Sequence, residues 1–361
     1  MYLSNPHISG KSTILHALAG KIKQSSRLQL EGSRYINGNP ITGDSIVPSA
    51  FVAQEVTFFP HMTVRETLSF RVDLKLGSQL SKQARDALVN DLIAQLRLEK
   101  AAATIVGDTN VRGISGGERR RLAIACEMIS SPSIICLDEP TSGLDSTAAT
   151  SLVEILRTLA DSGKTIIAVI HQPSQHVFAS FDDLLLVSEG KQMYFGEVAE
   201  VRKYMDEHVA KAPAEMGTAE HILDCISKTP MFGESTEEAE KRLDKLAALA
   251  STTTVDTGEA SETLERYSGD VHGGPKAGIF VQFKLLLRRA LRENFRARSK
   301  LVIQTVQQVS LGIIYGGIYT IGTNQVRAQV PEQRRGAALM AHDLIFRHRS
   351  RIDLVFFRLS R

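Results

Sequence analysis

VRGISGGERRRLAIACEMISSPSIICLDEPTSGLDSTAA, residues 111–149, decides the fold of this 361-residue chain. Ile114–Glu118, ISGGE, reads as a Gly-Gly turn opening a basic helix, and the bare amides of a helix N-terminus make an anion site. Further on, the apolar run IICL reads as a buried strand that delivers two adjacent acids, Asp138 and Glu139, at its carboxyl end. Acids in that position suit a divalent-cation partner followed by a general base for water. SGLD, Ser142–Asp145, comes next, and KTIIAVIH (164–171) sets His171 at the end of another strand, where an imidazole can bond a terminal phosphate and an attacking water. Singly, a Gly-Gly pair is often a turn, paired acids a cap and a lone His structural. In this order and spacing they point to nucleotide chemistry.

Working outward, SAFVAQ (49–54), SIICLDE (133–139), KTIIAVIH (164–171) and DLLLVSEG (183–190) are short apolar or β-branched runs between helical stretches. That alternation predicts an α/β fold with a largely parallel sheet covered on both faces. SKQARDALVNDLIAQLRLEK (81–100) carries Ala84, Leu88, Leu92 and Leu96 four apart, so an amphipathic helix capped by Ser81 is expected. Near the start, NPHISGKST (5–13) ends in Gly10, Lys11, Ser12 and Thr13 before the helical run STILHALAG. Loops of the form G-x-x-x-x-G-K-[ST] wrap phosphates with backbone N–H groups, neutralise them with the Lys and reach Mg²⁺ with the hydroxyl. Here Asn5 stands where the first Gly belongs, and β-branched Ile8 sits inside the loop. Only MYLS precedes it, so the strand that would launch the loop is expected to be missing.

Hydrophobic residues make up 43% of the chain and charged residues 23%, which excludes fully disordered, collagen-like and disulfide-scaffold classes. A mean hydropathy of -0.08 excludes a polytopic membrane protein but not a single span. The net charge of +3 gives no reason to expect nucleic acid. Cys126, Cys136 and Cys225 have neither metal nor disulfide spacing, so a reducing compartment is the default, and the N-terminus has no secretory pattern.

Past residue 230 the composition changes. Residues 231–275 are acidic and rich in Ser, Thr and Gly; the first third has helical character and the whole reads as a flexible acidic linker. Residues 276–300 hold eight Lys/Arg and one acid, Glu293, with Phe280, Phe283, Leu287 and Leu291 at helical spacing, a basic amphipathic helix. Residues 301–326 carry no charge, and 301–322 is long enough for a membrane span, although Gln304, Gln307, Gln308 and Ser310 interrupt it. A preceding basic helix fits the inner side of a membrane. Residues 323–361 read as a basic tail, with eight Arg and no Lys after 326.

On FVAQEVTFFPHMTVRETLSF (51–70), ISGGERRRLAIACEMI, LDEPTSGLDSTAA, IHQPS and a presumed turn at MYFG (193–196), the chain resembles the G subfamily of ATP-binding cassette (ABC) transporters, the white/brown-type half-transporters. The resemblance covers roughly residues 10–326 and extends to domain order, nucleotide domain first and membrane segment after. It implies a P-loop nucleotide-binding domain with a helical subdomain over 1–230, then the linker, a connecting helix at 276–300 and a first span at 301–322. Relative to the family both ends are expected to be truncated. The resemblance implies ATP and Mg²⁺ as cofactors. It makes Gly10, Lys11, Ser12 and Thr13 the phosphate loop, with Ser12, Gln54 and Asp138 toward the metal. Glu139 would polarise water and His171 would hold the γ-phosphate. Ser115, Gly116, Gly117 and Glu118 would meet the ATP of a second half-transporter subunit, homo- or heterodimeric, and Asp145 would align the two half-sites. The implied setting is a membrane with the nucleotide domain on its cytoplasmic side, contact with lipid and no nucleic acid. In that family the transported substrate is selected by the spans rather than by the cassette. Two other readings remain open: a soluble ABC ATPase outside transport, and a catalytically impaired cassette fragment.

Overall fold

The structure, a computed structural model, describes residues 10–22, 29–36, 39–41, 49–213, 215–231, 233–252 and 277–326. Asn5 and Ile8 lie outside the described residues, as do most of the expected tail and the second half of the expected linker. Two compact units divide the chain, Met1–Glu293 and Asn294–Arg361.

The first unit opens with helix α1 (Lys11–Leu18), a short hairpin β1 (Tyr35–Ile36) and β2 (Asn39–Pro40), then strand β3 (Ser49–Val52). Helices α2 (Val64–Leu76), α3 (Lys82–Gln95) and α4 (Gly116–Met128) precede β4 (Ile134–Asp138), α5 (Ser146–Asp161) and β5 (Thr165–Val169). After α6 (Gln175–Phe178) come the strands β6 (Asp183–Ser188) and β7 (Lys191–Glu197) and the helices α7 (Val201–His208), α8 (Thr218–Ile226), α9 (Thr236–Thr252) and α10 (Ile279–Arg296).

Strands β3, β4 and β5 form a parallel sheet in that order, with Ala50 opposite Ile135 and Asp138 opposite Val169. Successive strand side chains face opposite sides, and β4 uses both. Ile135 and Leu137 join Leu122, Leu152 and Ile155 in the main core, while Cys136 joins Leu15 and Val169 beneath α1. A strand buried on both faces reads as one apolar run rather than an alternation, which is why IICL was legible as a strand.

Helix ends follow local chemistry. Thr63 and Glu66 close a capping box on α2, and the Ser81 hydroxyl accepts from Ala84 N–H on α3. On α3 the buried face is Val89, Leu92, Ile93 and Leu96, and Ala84 is exposed, so the expected stripe is rotated toward the β-branched residues.

DLLLVSEG does not extend the parallel sheet: β6 pairs antiparallel with β7 through Glu189 and Gly190. Both carry positive φ (50° and 74°), the requirement of a type I′ hairpin turn. MYFG is strand rather than turn, lying within β7, where Tyr194 Oη donates to Glu197 O at 2.8 Å. The expected linker begins with a docked helix, α9, whose Ala239, Leu243, Leu246 and Ala250 are buried, because small and aliphatic residues recur at helical spacing between its acids. Finally, among the described residues no helix is long and apolar enough to cross a membrane. The second unit does contain a 29-residue helix, α11 (Arg298–Val326), taking in 301–322 and the start of the expected tail, but Gln304, Gln307, Gln308 and Ser310 dilute its apolar character.

The basic helix at 276–300 is present as α10. Its polar side packs within the first unit: Arg292 pairs with Glu66 at 3.0 Å, and the Arg289 guanidinium lies 3.9 Å from the Phe59 ring centroid. Phe280, Phe283, Leu287 and Leu291 are exposed.

Cys126, Cys136 and Cys225 are free and buried, and burial pushes their thiols up to about 12, 11 and 11 from an ordinary 9.0. Above pH 9 the unfolded chain therefore releases thiol protons that the native chain retains, the unfolded state binds fewer protons, and stability falls as pH rises toward these values. Urea midpoints should drop progressively over that window, and less steeply in Cys126→Ala. Iodoacetamide should alkylate the chain in urea but not in buffer; labelling of the native protein at neutral pH would contradict the burial.

Candidate functional site

The site lies where α1 begins and β3, β4 and β5 end. Gly10 has φ 77°, a left-handed conformation that turns the chain directly into α1, and its carbonyl accepts Ile14 N–H at 2.9 Å. One residue on, Lys11 is buried at 7% exposure. Desolvation lowers its pKa, and the nearby carboxylates of Glu139 and Asp138 partly oppose the shift. Ser12 Oγ donates to Asp138 Oδ1 at 3.1 Å, tying the first turn of α1 to the end of β4. Thr13 is exposed.

Glu139 has φ 46°, unusual for a residue with a Cβ. Its N–H donates to Val169 O at 2.9 Å and its carbonyl accepts Ser142 N–H at 3.2 Å, so β5 and the following turn hold it there. Gln54 Nε2, just past β3, donates to Glu139 Oε2 at 2.7 Å and leaves Oε1 uncommitted to it. Strain of this kind costs roughly 1–3 kcal/mol and persists where the surroundings over-determine it. His171 follows two residues after Val169, the β5 residue in register with Asp138, and is partly buried. Lys11, Ser12, Gln54, Asp138, Glu139 and His171 thus come from α1 and three neighbouring strand ends.

A second group is separate from the first. Ser115 caps α4: its hydroxyl accepts Glu118 N–H at 3.2 Å, and Glu118 Oε2 accepts Ser115 N–H at 2.8 Å. Glu118 is therefore committed as a capping-box acid. Gly116 and Gly117 are the first helical residues rather than a turn. A Cβ at Gly117 would lie 3.4 Å from Ala148 Cβ, so the missing side chain lets α4 approach α5. Asp145 caps α5 by accepting Ala148 N–H at 2.7 Å. Ser115, Gly116 and Asp145 are exposed, so this pair of helix starts faces outward.

Arg120 escaped the sequence reading, although the signal, a run of three Arg after ISGGE, was in view. Its Nη1 donates to Gln54 O at 2.6 Å and Ala53 O at 3.2 Å. Desolvation lowers its pKa against the opposing pull of Glu139 and Asp138. It clamps the backbone carrying Gln54 to the helix that starts at Gly116, linking the two groups.

Ser12 hydroxyl, Asp138 carboxylate and the Gln54 amide oxygen are hard oxygen donors. Among the described residues there is no cluster of three or more His, Cys, Asp or Glu able to hold a metal alone. This donor set fits Mg²⁺, which takes one or two carboxylates and completes its shell with phosphate oxygens and water.

The family model described as ABC transporter matches residues 8–142. ABC transporter G family member 7 of Arabidopsis thaliana is 37% identical over 337 residues, covering 91% of this chain and 46% of that protein. ABC transporter G family member 25 of the same plant is 38% identical over 331 residues, covering 88% of this chain and 49% of the relative. Protein white of Drosophila melanogaster is 33% identical over 318 residues, covering 86% and 46%. The chain spans about half the length of the curated relatives it matches.

Arg120→Gln should remove two hydrogen bonds made by a charged donor, each worth about 1.5–3 kcal/mol where desolvated and less at this half-exposed position. Amide exchange should accelerate at residues 53–56, with the overall urea midpoint little moved. Unchanged exchange there would show that the clamp is not what holds Gln54.

Proposed function

The chain belongs to the G family of ABC transporters, and on that premise we propose that residues 10–230 are the ATP-binding and ATP-hydrolysing cassette of a half-transporter that works as a dimer. The observation that carries this reading is the convergence of Lys11, Ser12, Gln54, Asp138 and Glu139 at the head of one helix and the ends of adjacent strands. Lys11, held among carboxylates in a desolvated setting, is an ammonium prepared to exchange those partners for phosphate oxygens. Gly10, Ser12 and Thr13 lie at the start of the helix whose N-terminal amides and dipole favour the same anion. Mg²⁺ held by Ser12, Asp138 and the Gln54 amide oxygen would neutralise charge on the β- and γ-phosphates.

Glu139 is the general base in this reading: Gln54 orients its carboxylate, and Oε1 accepts a proton from the attacking water. His171 donates toward the γ-phosphate. The outward-facing starts of α4 and α5 present Ser115 and Gly116 to nucleotide bound by a second subunit, with Asp145 setting the approach of the two; Gly117, expected beside them, is instead buried. Glu118 contributes by holding Ser115 in place, since its carboxylate is spent on the cap. A Gly10–Lys11 start to α1 with acids at the β4 end supports catalysis over an inert fragment, and relatives named as transporters favour transport over a soluble ATPase. Membrane association is part of the proposal, supported by those relatives and by the exposed apolar side of α10.

Phosphate release by the full chain with Mg²⁺-ATP tests the assignment. Glu139→Gln should lower turnover by roughly 100-fold or more while leaving ATP affinity intact, as expected for loss of a general base. Lys11→Ala should instead abolish binding of a fluorescent ATP analogue. Turnover surviving in Glu139→Gln would remove this residue as the base, and undiminished binding in Lys11→Ala would remove the phosphate site.

A further inference from the structure

Two cations attend the acids at the end of β4, and they arrive from different helices. Lys11 opens α1, and Arg120 belongs to α4, the helix capped by Ser115. For each, burial is the larger influence on the side chain and lowers its pKa, while Glu139 and then Asp138 oppose the shift. Both positive charges therefore feel the same carboxylate pair in the same order. The nucleotide chemistry proposed for the site draws on Lys11 and leaves Arg120 as a clamp, yet the clamp occupies only one nitrogen. Nη1 donates to Gln54 O at 2.6 Å and to Ala53 O at 3.2 Å, and among the described residues the guanidinium makes no other hydrogen bond. A guanidinium is a planar fork of donors, so Nε and Nη2 still offer an edge of N–H groups. That edge is close to Glu139. Gln54 touches Arg120 through its carbonyl and Glu139 Oε2 through its Nε2, the latter at 2.7 Å. Nη1 can thus lie no further from the carboxylate than one glutamine's span plus two hydrogen bonds.

We propose that Arg120 is a catalytic residue of its own subunit's site, the unbonded edge of its guanidinium meeting the γ-phosphoryl group of bound ATP as that group passes to water. The inference rests on the nucleotide reading and adds a second cation to it. In the step, the water oxygen forms a bond to the γ-phosphorus. The bond from that phosphorus to the bridging oxygen breaks, its electron pair goes to ADP, and Glu139 takes the water's proton. Arg120 neither gains nor loses a proton. It supplies fixed charge and donors to the phosphoryl oxygens during transfer, when stabilising charge on them lowers the barrier. Because Nη1 is already pinned to the backbone, the edge needs no reorganisation at the moment of reaction. An arginine suits this half-buried setting, since it keeps its charge where a lysine readily gives up its proton.

Arg120→Lys separates the two jobs: one ammonium can donate to both carbonyls but carries no second edge. Three quantities are measured on the full chain. They are amide exchange at residues 53–56, affinity for a fluorescent ATP analogue, and affinity for MgADP with aluminium fluoride, a mimic of the phosphoryl group in transfer. Exchange and analogue affinity should match the wild type, while the fluoride complex binds roughly 100-fold more weakly and turnover falls with it. A fluoride complex bound as tightly as by wild type would overturn the proposal and leave Arg120 a clamp. Equal losses for both ligands would overturn it too, because a catalytic contact is stronger in the transition state than in the ground state. If lysine loosens residues 53–56, Arg120→Ala with added guanidinium ion decides. Fluoride-complex affinity restored by the ion, without restored exchange protection, supports the edge; no restoration overturns it. Failure of the underlying reading looks different, since the wild-type chain would then bind neither the ATP analogue nor the fluoride complex.

Discussion

The hydrogen bond from Ser12 to Asp138 joins the first turn of α1 to the end of β4, and the rest of the site is arranged around it. It brings a helix N-terminus, with its positive dipole, against a strand end bearing two acids. Lys11 is caught in that junction, where desolvation is opposed by attraction to Glu139 and Asp138. A buried ammonium balanced in this way adds little stability, because the cost of removing charge from water consumes most of the Coulombic gain. What the balance does achieve is geometric: it keeps a cation and two carboxylates in register at one helix start.

From that junction, order passes outward through backbone contacts. Glu139 stays in the left-handed region because β5 accepts its N–H and Gln54 grips its carboxylate. Gln54 in turn depends on Arg120, a residue of α4 that holds the carbonyls on either side of the Ala53–Gln54 link. Since α4 begins at the capped Ser115, the outward-facing helix start and the acid-bearing strand end share one mechanical path. Gly117, without a side chain, faces Ala148 of α5, whose own start is fixed by Asp145.

Much of this was legible in the residues. The order ISGGE, IICLDEP, SGLD and IIAVIH identified the strands, the acids and the helix starts, because buried parallel strands and capped helices carry strong local signals. Where the reading failed, the deciding force was not local. DLLLVSEG has the look of any buried strand, and only a positive-φ pair at Glu189–Gly190 turns it into a hairpin arm. Acidic composition disguised α9, whose Ala239, Leu243, Leu246 and Ala250 form its docked face. For residues 301–322, absence of charge suggested a span, while the scattered glutamines keep the segment below the apolarity that crossing a membrane requires.

The amino-acid sequence by itself determined the main strands, the helix starts and the residue types they carry, since each motif is a short run whose spacing is set by helix and strand geometry. Tertiary structure alone decided which of those residues meet. Lys11, Gln54 and Asp138 are far apart along the chain, and only the stacking of β3, β4 and β5 under α1 makes them neighbours. The same packing committed Glu118 to a cap and recruited Arg120, because partner choice arises from elements assembled together.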